Sequence, residues 1–262
     1  SSATIMPPAP AFAEAAAWCR KRRIGSVGLH LTFTSEYDAI RWRSLTGHPS
    51  LHDEEGFMFH TVEEFERNAE PRAVRLEMKA QFEAARRAGI DIAHADNHMG
   101  SLYGLATGKS HLPQVLWLCF LRRLPFRLFR RFEPRDSFMA SIASPETQRA
   151  LDKVVALADT LGVGVPDYLI SHPYHAEEGE SYEPFRAMMI ARLYELPDGV
   201  TETYIHPAVE DEKLAKSIPS WKKRVWEYRL MLDADFEFAM KDANVTLTDY
   251  RHVQRHMRRP RL

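Results

Sequence analysis

The chain has 262 residues, 45% of them hydrophobic, which is enough for one large core and suits a single domain spanning 1–262 of the size α/β barrels commonly use. Its 35 Lys+Arg stand against 36 Asp+Glu, so no net field draws it to nucleic acid or to an anionic membrane surface, and a small neutral partner fits better. Two cysteines, Cys19 and Cys119, have neither metal-site spacing nor the density of a disulfide scaffold, which points to a reducing, cytoplasmic setting, and apolar runs such as 115–121 fall far short of the roughly 20 residues that cross a bilayer.

Strand-type and helix-type stretches alternate along the chain. A short strand at 3–6 precedes a helix at 12–22, and 25–31 reads as a buried parallel strand because its residues are apolar with little alternation. A loop rich in Ser, Thr, Gly and Pro follows from 32 to 60. Thr61, with Glu64 three residues on, predicts an N-cap for helical sequence reaching Ala88 with a break near Pro71. After the stop at Gly89 come a strand at 90–95, a loop at 97–110 and a helix at 112–122. The pattern continues with a strand at 126–128, helix 145–161, strand 167–170, helix 182–194, strand 201–205, helix 220–242 and a strand at 245–247. Seven strands alternating with helices predict a parallel α/β fold, a barrel short of one strand.

Three histidines fall at equivalent places in this pattern. His30 lies near the end of one predicted strand, while His98 and His206 lie just past two others. In α/β barrels the carboxyl ends of the strands carry the site, so histidines far apart in sequence converge there. The densest local signal is His94-Ala95-Asp96-Asn97-His98. Neutral imidazole ligates divalent metals, and the carboxylate of Asp96 is placed to fix a tautomer or join the shell, which makes His98 the first choice of ligand. An imidazole inside the apolar Gly28-Leu29-His30-Leu31 needs a partner when buried, either a metal or a backbone carbonyl. Pro207 stops the strand before His206 and turns its imidazole outward, which suits a proton donor, although a loop histidine before a turn has the same pattern. His172 and His175 follow another strand and are candidates to line the pocket, as are the aromatics Tyr103, Tyr174 and Trp42, whose rings would stack on a sugar face or pack as a lid.

These stretches resemble the YdjC-like (ChbG-like) carbohydrate deacetylases, related in fold to polysaccharide deacetylases. The likeness covers nearly the whole chain. It rests on Ser2-Ala3-Thr4-Ile5-Met6 with Pro10-Ala11-Phe12, on Gly28-Leu29-His30-Leu31, on Asp96-Asn97-His98-Met99-Gly100-Ser101-Leu102-Tyr103-Gly104, on Leu124-Pro125-Phe126-Arg127-Leu128 and on His206-Pro207-Ala208. Trp221, Arg224 and Glu227, then Leu247 and Tyr250-Arg251, look like the family's closing helix and strand.

The resemblance implies a distorted TIM-like (β/α) barrel in which one aspartate and two histidines, here His30 and His98, hold a divalent metal ion, Mg²⁺ or Zn²⁺. It implies hydrolysis of the N-acetyl group of an amino sugar, with His206 protonating the departing amine and Asp96, Tyr103, Arg127 and His172 contacting substrate. In the family the metal-binding aspartate sits beside a presumed general base in an Asp-Asp-Phe-Gly motif on the first strand. That motif does not occur in this chain, so an N-terminal segment of a few tens of residues is expected to carry it; a true truncation would be inactive. Gly100 also stands where many relatives have a further histidine.

Two other readings remain open on the residues. Arg122, Arg123, Arg127, Arg130, Arg131 and Arg135 favour a metal-dependent phosphoesterase, since arginine forks suit phosphate, although helix-end and loop arginines are commonly solvated. The absent motif favours a sugar-binding barrel without catalysis. A nucleic-acid role has least support, because the basic tail 251–261 is short. A homodimer is expected only from the resemblance and from apolar residues such as Phe129 and Phe132, read as exposed.

Overall fold

The structure, a computed structural model, describes residues 2–256. In chain order its elements are β1 (Ala3–Ile5), α1 (Phe12–Arg22), β2 (Val27–Leu31), α2 (Val62–Asn68), α3 (Pro71–Arg87), β3 (Ile92–Asn97), α4 (Leu112–Arg122), α5 (Ser137–Ile142), α6 (Pro145–Leu161), β4 (Tyr168–Ile170), α7 (Tyr182–Tyr194), β5 (Thr201–Thr203), α8 (Glu212–Ser217), α9 (Trp221–Leu230), α10 (Ala234–Asp242) and α11 (Tyr250–His256). The alternating parallel α/β architecture is present. The described strands form a three-stranded and a two-stranded parallel sheet rather than a traced closed barrel. No helix among the described residues is long and apolar enough to cross a membrane. The part of the basic tail beyond His256 lies outside the described residues.

Two compact units emerge, each described by itself. The first comprises 1–130, 148–165 and 249–262. Its sheet has the order β1-β2-β3, with Ile5 opposite Leu29 and Leu29 opposite Ala95, and a register irregularity between Val27 and Leu29. The predicted strand at 126–128 is a single bridge: Phe126 pairs with Ala95, and Arg127 donates its N–H to the Ala95 carbonyl. Leu29 and Leu31 point into the core, while Gly28 and His30 face the other side, as the two-residue period of a strand requires.

Local chemistry sets the helix boundaries. Thr61 and Glu64 form the reciprocal capping box that starts α2, and Pro71 opens α3 at a position whose N–H is unpaired anyway. On α3, the buried Gln81 side chain accepts from the Thr32 N–H and donates to the Thr32 carbonyl, continuing β2 with an amide. One turn earlier Glu77 accepts from the N–H groups of Leu45 and Thr46, fixing the long loop after β2.

Gly28 is required for packing. The His94 ring lies directly over it and stacks on Tyr250 of α11 at 4.0 Å between centroids, so a Cβ at position 28 would overlap that ring. Gly28→Ala is expected to lower stability by about 1–3 kcal/mol through overpacking, read from the midpoint of denaturant unfolding. An unchanged midpoint would mean that the stack yields freely.

The second unit comprises 131–147 and 166–248. In it β4 and β5 pair in parallel, Ile170 opposite Thr203, and a cluster of Tyr182, Phe185, Met189, Leu230 and Phe236 binds α7, α9 and α10 together. Two expectations fail here. The helix predicted over 220–242 is broken after Leu230, because Asp233 takes an extended conformation and caps α10 by accepting from the N–H groups of Asp235 and Phe236. The strand predicted at 245–247 does not form. Asn244 turns left-handed at φ 55°, the Val245 N–H goes back to the Met240 carbonyl, and Leu247 is largely exposed.

Candidate functional site

In the first unit the site follows from strand register. Parallel pairing puts His30 of β2 opposite Asp96 of β3, and their side chains meet on the same face: His30 Nδ1 lies 2.7 Å from Asp96 Oδ1. The other carboxylate oxygen of Asp96 faces the Arg127 guanidinium at 2.6 Å, an ion pair delivered by the bridge next to β3. Asp96 is fully buried. Burial alone would raise its carboxyl pKa, but Arg127 and then His30 outweigh burial and hold it well below the usual carboxylate range. An ionised carboxylate only accepts, so Nδ1 of His30 carries a proton, and in the neutral imidazole Nε2 is the nitrogen with the lone pair.

His98 comes next, immediately past the end of β3. Met99, in a left-handed conformation at φ 53°, turns the chain there, and the segment is tied down by Ser101 donating to the His98 carbonyl and by Leu102 N–H donating to the Asn97 side chain. His98 Nε2 lies 2.7 Å from Glu36 Oε2. Burial lowers the pKa of His98, outweighing the pull of Glu36, so its imidazole is neutral. Burial opposes ionisation of Glu36 as well, but the hydrogen bond from His98 lowers its pKa overall. The Nε2–H of His98 therefore donates to the Glu36 carboxylate, and its Nδ1 presents a lone pair.

Each imidazole is thus held by a carboxylate in the tautomer that offers one nitrogen to a ligand, the outer-shell pattern of metal-binding histidines. The ring centroids of His30 and His98 are 5.4 Å apart. With metal–nitrogen bonds of about 2 Å, two rings sharing one ion would have centroids about 5 Å apart, so the pair fits a common divalent ion. The pair would supply two donors of a ligand set; no group of three or more His, Cys, Asp or Glu side chains placed to hold a metal occurs among the described residues.

In the second unit, Asp136 accepts from both the N–H and the hydroxyl of Ser171, fixing the exit of β4. His172, the next residue, is buried with Nε2 2.6 Å from Glu227 Oε1. The other oxygen of Glu227 accepts the backbone N–H of His206 at 2.6 Å, just past β5. The half-buried His206 ring packs 5.3 Å from Tyr174 and 6.0 Å from Tyr204. Nδ1 of His172 is buried without a hydrogen-bond partner among the described residues, a state that costs about 1–3 kcal/mol where a polar atom stays unsatisfied.

The expected residues therefore fall into two groups. His30, Asp96, His98 and Arg127 meet in the first unit, where Tyr103 donates its hydroxyl to the Arg127 carbonyl at 2.7 Å. His172 and His206 share Glu227 in the second, and His175 stands exposed. Asp96 lies beneath His30 rather than at a surface. Trp42 is buried, donating Nε1–H to the Thr34 carbonyl with its ring 6.0 Å from His98. Phe129, read as an exposed dimer contact, is buried, and Phe132 is half-buried; on α4 the side chains of Trp117, Phe120 and Leu121 are exposed. Arg130 pairs with Asp159 and Arg135 with Glu133, so the arginine cluster is largely engaged. The sequence reading missed Glu36, whose loop position carries no local signal, and the role of Glu227. Lys223, Glu227 and Leu230 do follow the helical spacing of a buried stripe, but two of the three are charged.

A model of the YdjC-like protein family matches residues 1–242. A carbohydrate deacetylase of Thermus thermophilus is 37% identical over 86 residues, 33% of this chain and 32% of that protein, so the match spans about a third of the curated relative. Among solved structures, a proposed cellobiose-phosphate cleavage protein of Enterococcus faecalis V583 shares the fold with a TM-score of 0.71, at 22% identity over 96% of this chain and 87% of that one. The motifs around His30, His98 and His206 all lie inside the span of the family match, and the chain belongs to the YdjC-like family.

Proposed function

We propose that this chain is a metal-dependent carbohydrate deacetylase that removes the N-acetyl group from an amino sugar or short acetylated oligosaccharide, with its parallel sheets forming a distorted barrel of the polysaccharide-deacetylase type. The observation that carries the reading is the pair of imidazoles, His30 and His98, each fixed by its own carboxylate with a lone pair left for an ion. The similarity to a carbohydrate deacetylase supports it.

A divalent ion, Zn²⁺ or Mg²⁺, held by His30 and His98 would supply Lewis-acid polarisation of the amide carbonyl. Asp96 keeps His30 in its ligand tautomer and is itself held ionised by Arg127. Glu36 does the same for His98. His206 donates a proton to the nitrogen of the departing amine, a task suited to a side chain that titrates near neutrality. Tyr174 and Tyr204, beside His206, offer ring faces to a sugar.

The test is acetate release from N-acetylglucosamine oligomers by the full-length, metal-loaded protein, run beside phosphate release from sugar phosphates. Acetate alone is expected. Phosphate without acetate would replace this reading by the phosphoesterase; neither product, despite bound metal, would favour a sugar-binding protein.

A further inference from the structure

Glu227 lies on the buried stripe of α9 with Lys223 and Leu230, and its carboxylate spans two segments that are far apart in sequence. One oxygen meets His172 Nε2 at 2.6 Å, two residues past the end of β4. The other accepts the backbone N–H of His206 at 2.6 Å, three residues past the end of β5. Lys223, one turn earlier on the same helix, does not neutralise it, because Lys223 Nζ is bound to Glu180 and lies over the Phe185 ring. One buried acid therefore fastens the exits of both strands of the second unit.

We propose that Glu227 is a positioning residue for His206. It holds the backbone from which the His206 imidazole projects, and it keeps His172 in the tautomer protonated on Nε2. With Glu227 ionised both of its oxygens accept, and the proton shared with His172 then sits on Nε2. Nδ1 of His172, without a hydrogen-bond partner among the described residues, then keeps its lone pair. The part played by His206 in this proposal rests on the deacetylase reading; the clamp itself does not.

The two halves separate in experiment. Glu227→Gln preserves the volume and an acceptor for the His206 N–H, but turns an amide N–H toward His172 and so reverses that hydrogen bond. Nitrogen-15 NMR of the histidine rings in the full chain is expected to show His172 protonated on Nε2 in the native protein and on Nδ1 in Glu227→Gln. Exchange of the His206 amide is expected to be slow in the native protein, about tenfold faster in Glu227→Gln, whose neutral oxygen is the weaker acceptor, and about a hundredfold faster in Glu227→Ala, where the hydrogen bond to a charged group is lost. In acetate release, kcat is expected to fall about tenfold in Glu227→Gln and about a hundredfold in Glu227→Ala with KM little changed, because a donor displaced by about 1 Å loses rate rather than binding. Loss of folded protein would also lower the apparent kcat at constant KM, so kcat is referred to the folded fraction measured by circular dichroism. If Glu227→Ala does not fold, Glu227→Gln carries both arms.

An unchanged His172 tautomer in Glu227→Gln, or His206 exchange indifferent to Glu227→Ala, overturns the clamp. An altered tautomer with unchanged kcat overturns its role in the reaction. Absence of acetate release from the native protein, with the NMR results as expected, overturns the deacetylase reading and leaves the clamp supported.

Discussion

Replacing His98 by alanine is expected to abolish tight binding of the divalent ion and to lower kcat/KM for acetate release by about a thousandfold or more. The imidazole is one of two that the first unit brings within 5.4 Å of each other, so its removal leaves a single nitrogen donor from the pair. Lewis-acid polarisation contributes several kcal/mol to the transition state, and each 1.36 kcal/mol is a factor of about ten in rate. His30→Ala is expected to behave in the same way. His206→Ala should differ in kind: a loss of about 10²- to 10⁴-fold, the usual contribution of a general acid, with the metal still bound at full stoichiometry. Metal content after dialysis, measured beside the rate, separates the two outcomes. A His98→Ala protein that retained both its ion and its rate would sink the assignment of this pair as the metal site.

The second large effect is on stability. Asp96→Asn removes the charge from a fully buried carboxylate and takes an ion-pair partner from the Arg127 guanidinium, which is only 15% exposed. Breaking a buried pair from one side costs about 3–5 kcal/mol, which for a chain of this size lowers Tm by about 10 °C. Arg127→Met added to Asp96→Asn should recover part of the loss, because the charge that Asp96 balanced is then gone. The same pair sets a pH dependence. The folded carboxyl of Asp96 is depressed below its unfolded value of about 3.9, so its contribution is complete above that pH and is lost as pH falls through the folded value. Thermal unfolding followed by circular dichroism checks both statements. A Tm within about a degree of the native protein would show that water or the other partners of Arg127 already balance its charge.

Much of this was legible in the residues. The helices 12–22, 112–122, 145–161 and 182–194 begin and end where the alternation of segments placed them, because that signal is local. That His30 and His98 lie close together was legible for a similar reason, since both fall at the ends of apolar strands that pair in parallel. Pairing was not legible. Residues 245–247 have strand composition, yet a strand needs a neighbour with free backbone groups, and the turn at Asn244 sends the Val245 N–H back onto α10. Phe129 looked like a surface contact in a basic stretch, and burial depends on packing partners that composition does not disclose. Glu36 and Glu227 escaped because a charged residue in a loop or helix is normally solvated. Their histidine partners lie 62 and 55 residues away, and only the tertiary fold brings them together.

The stacking of α11 on His94 also bears on how the molecule assembles. Arg251 on that helix reaches the Gly25 carbonyl and the Asp91 carboxylate, a contact across 226 positions in the case of Gly25. The first unit is thus drawn from three separate stretches, with the whole second unit encoded between the first and the last of them. A ribosome therefore releases β1, β2 and β3 long before the segment that covers His94 exists, and loop closure over such a distance slows the final step. Until then the nascent sheet keeps that face uncovered, and chaperone dependence is expected to end only with synthesis of the last helix.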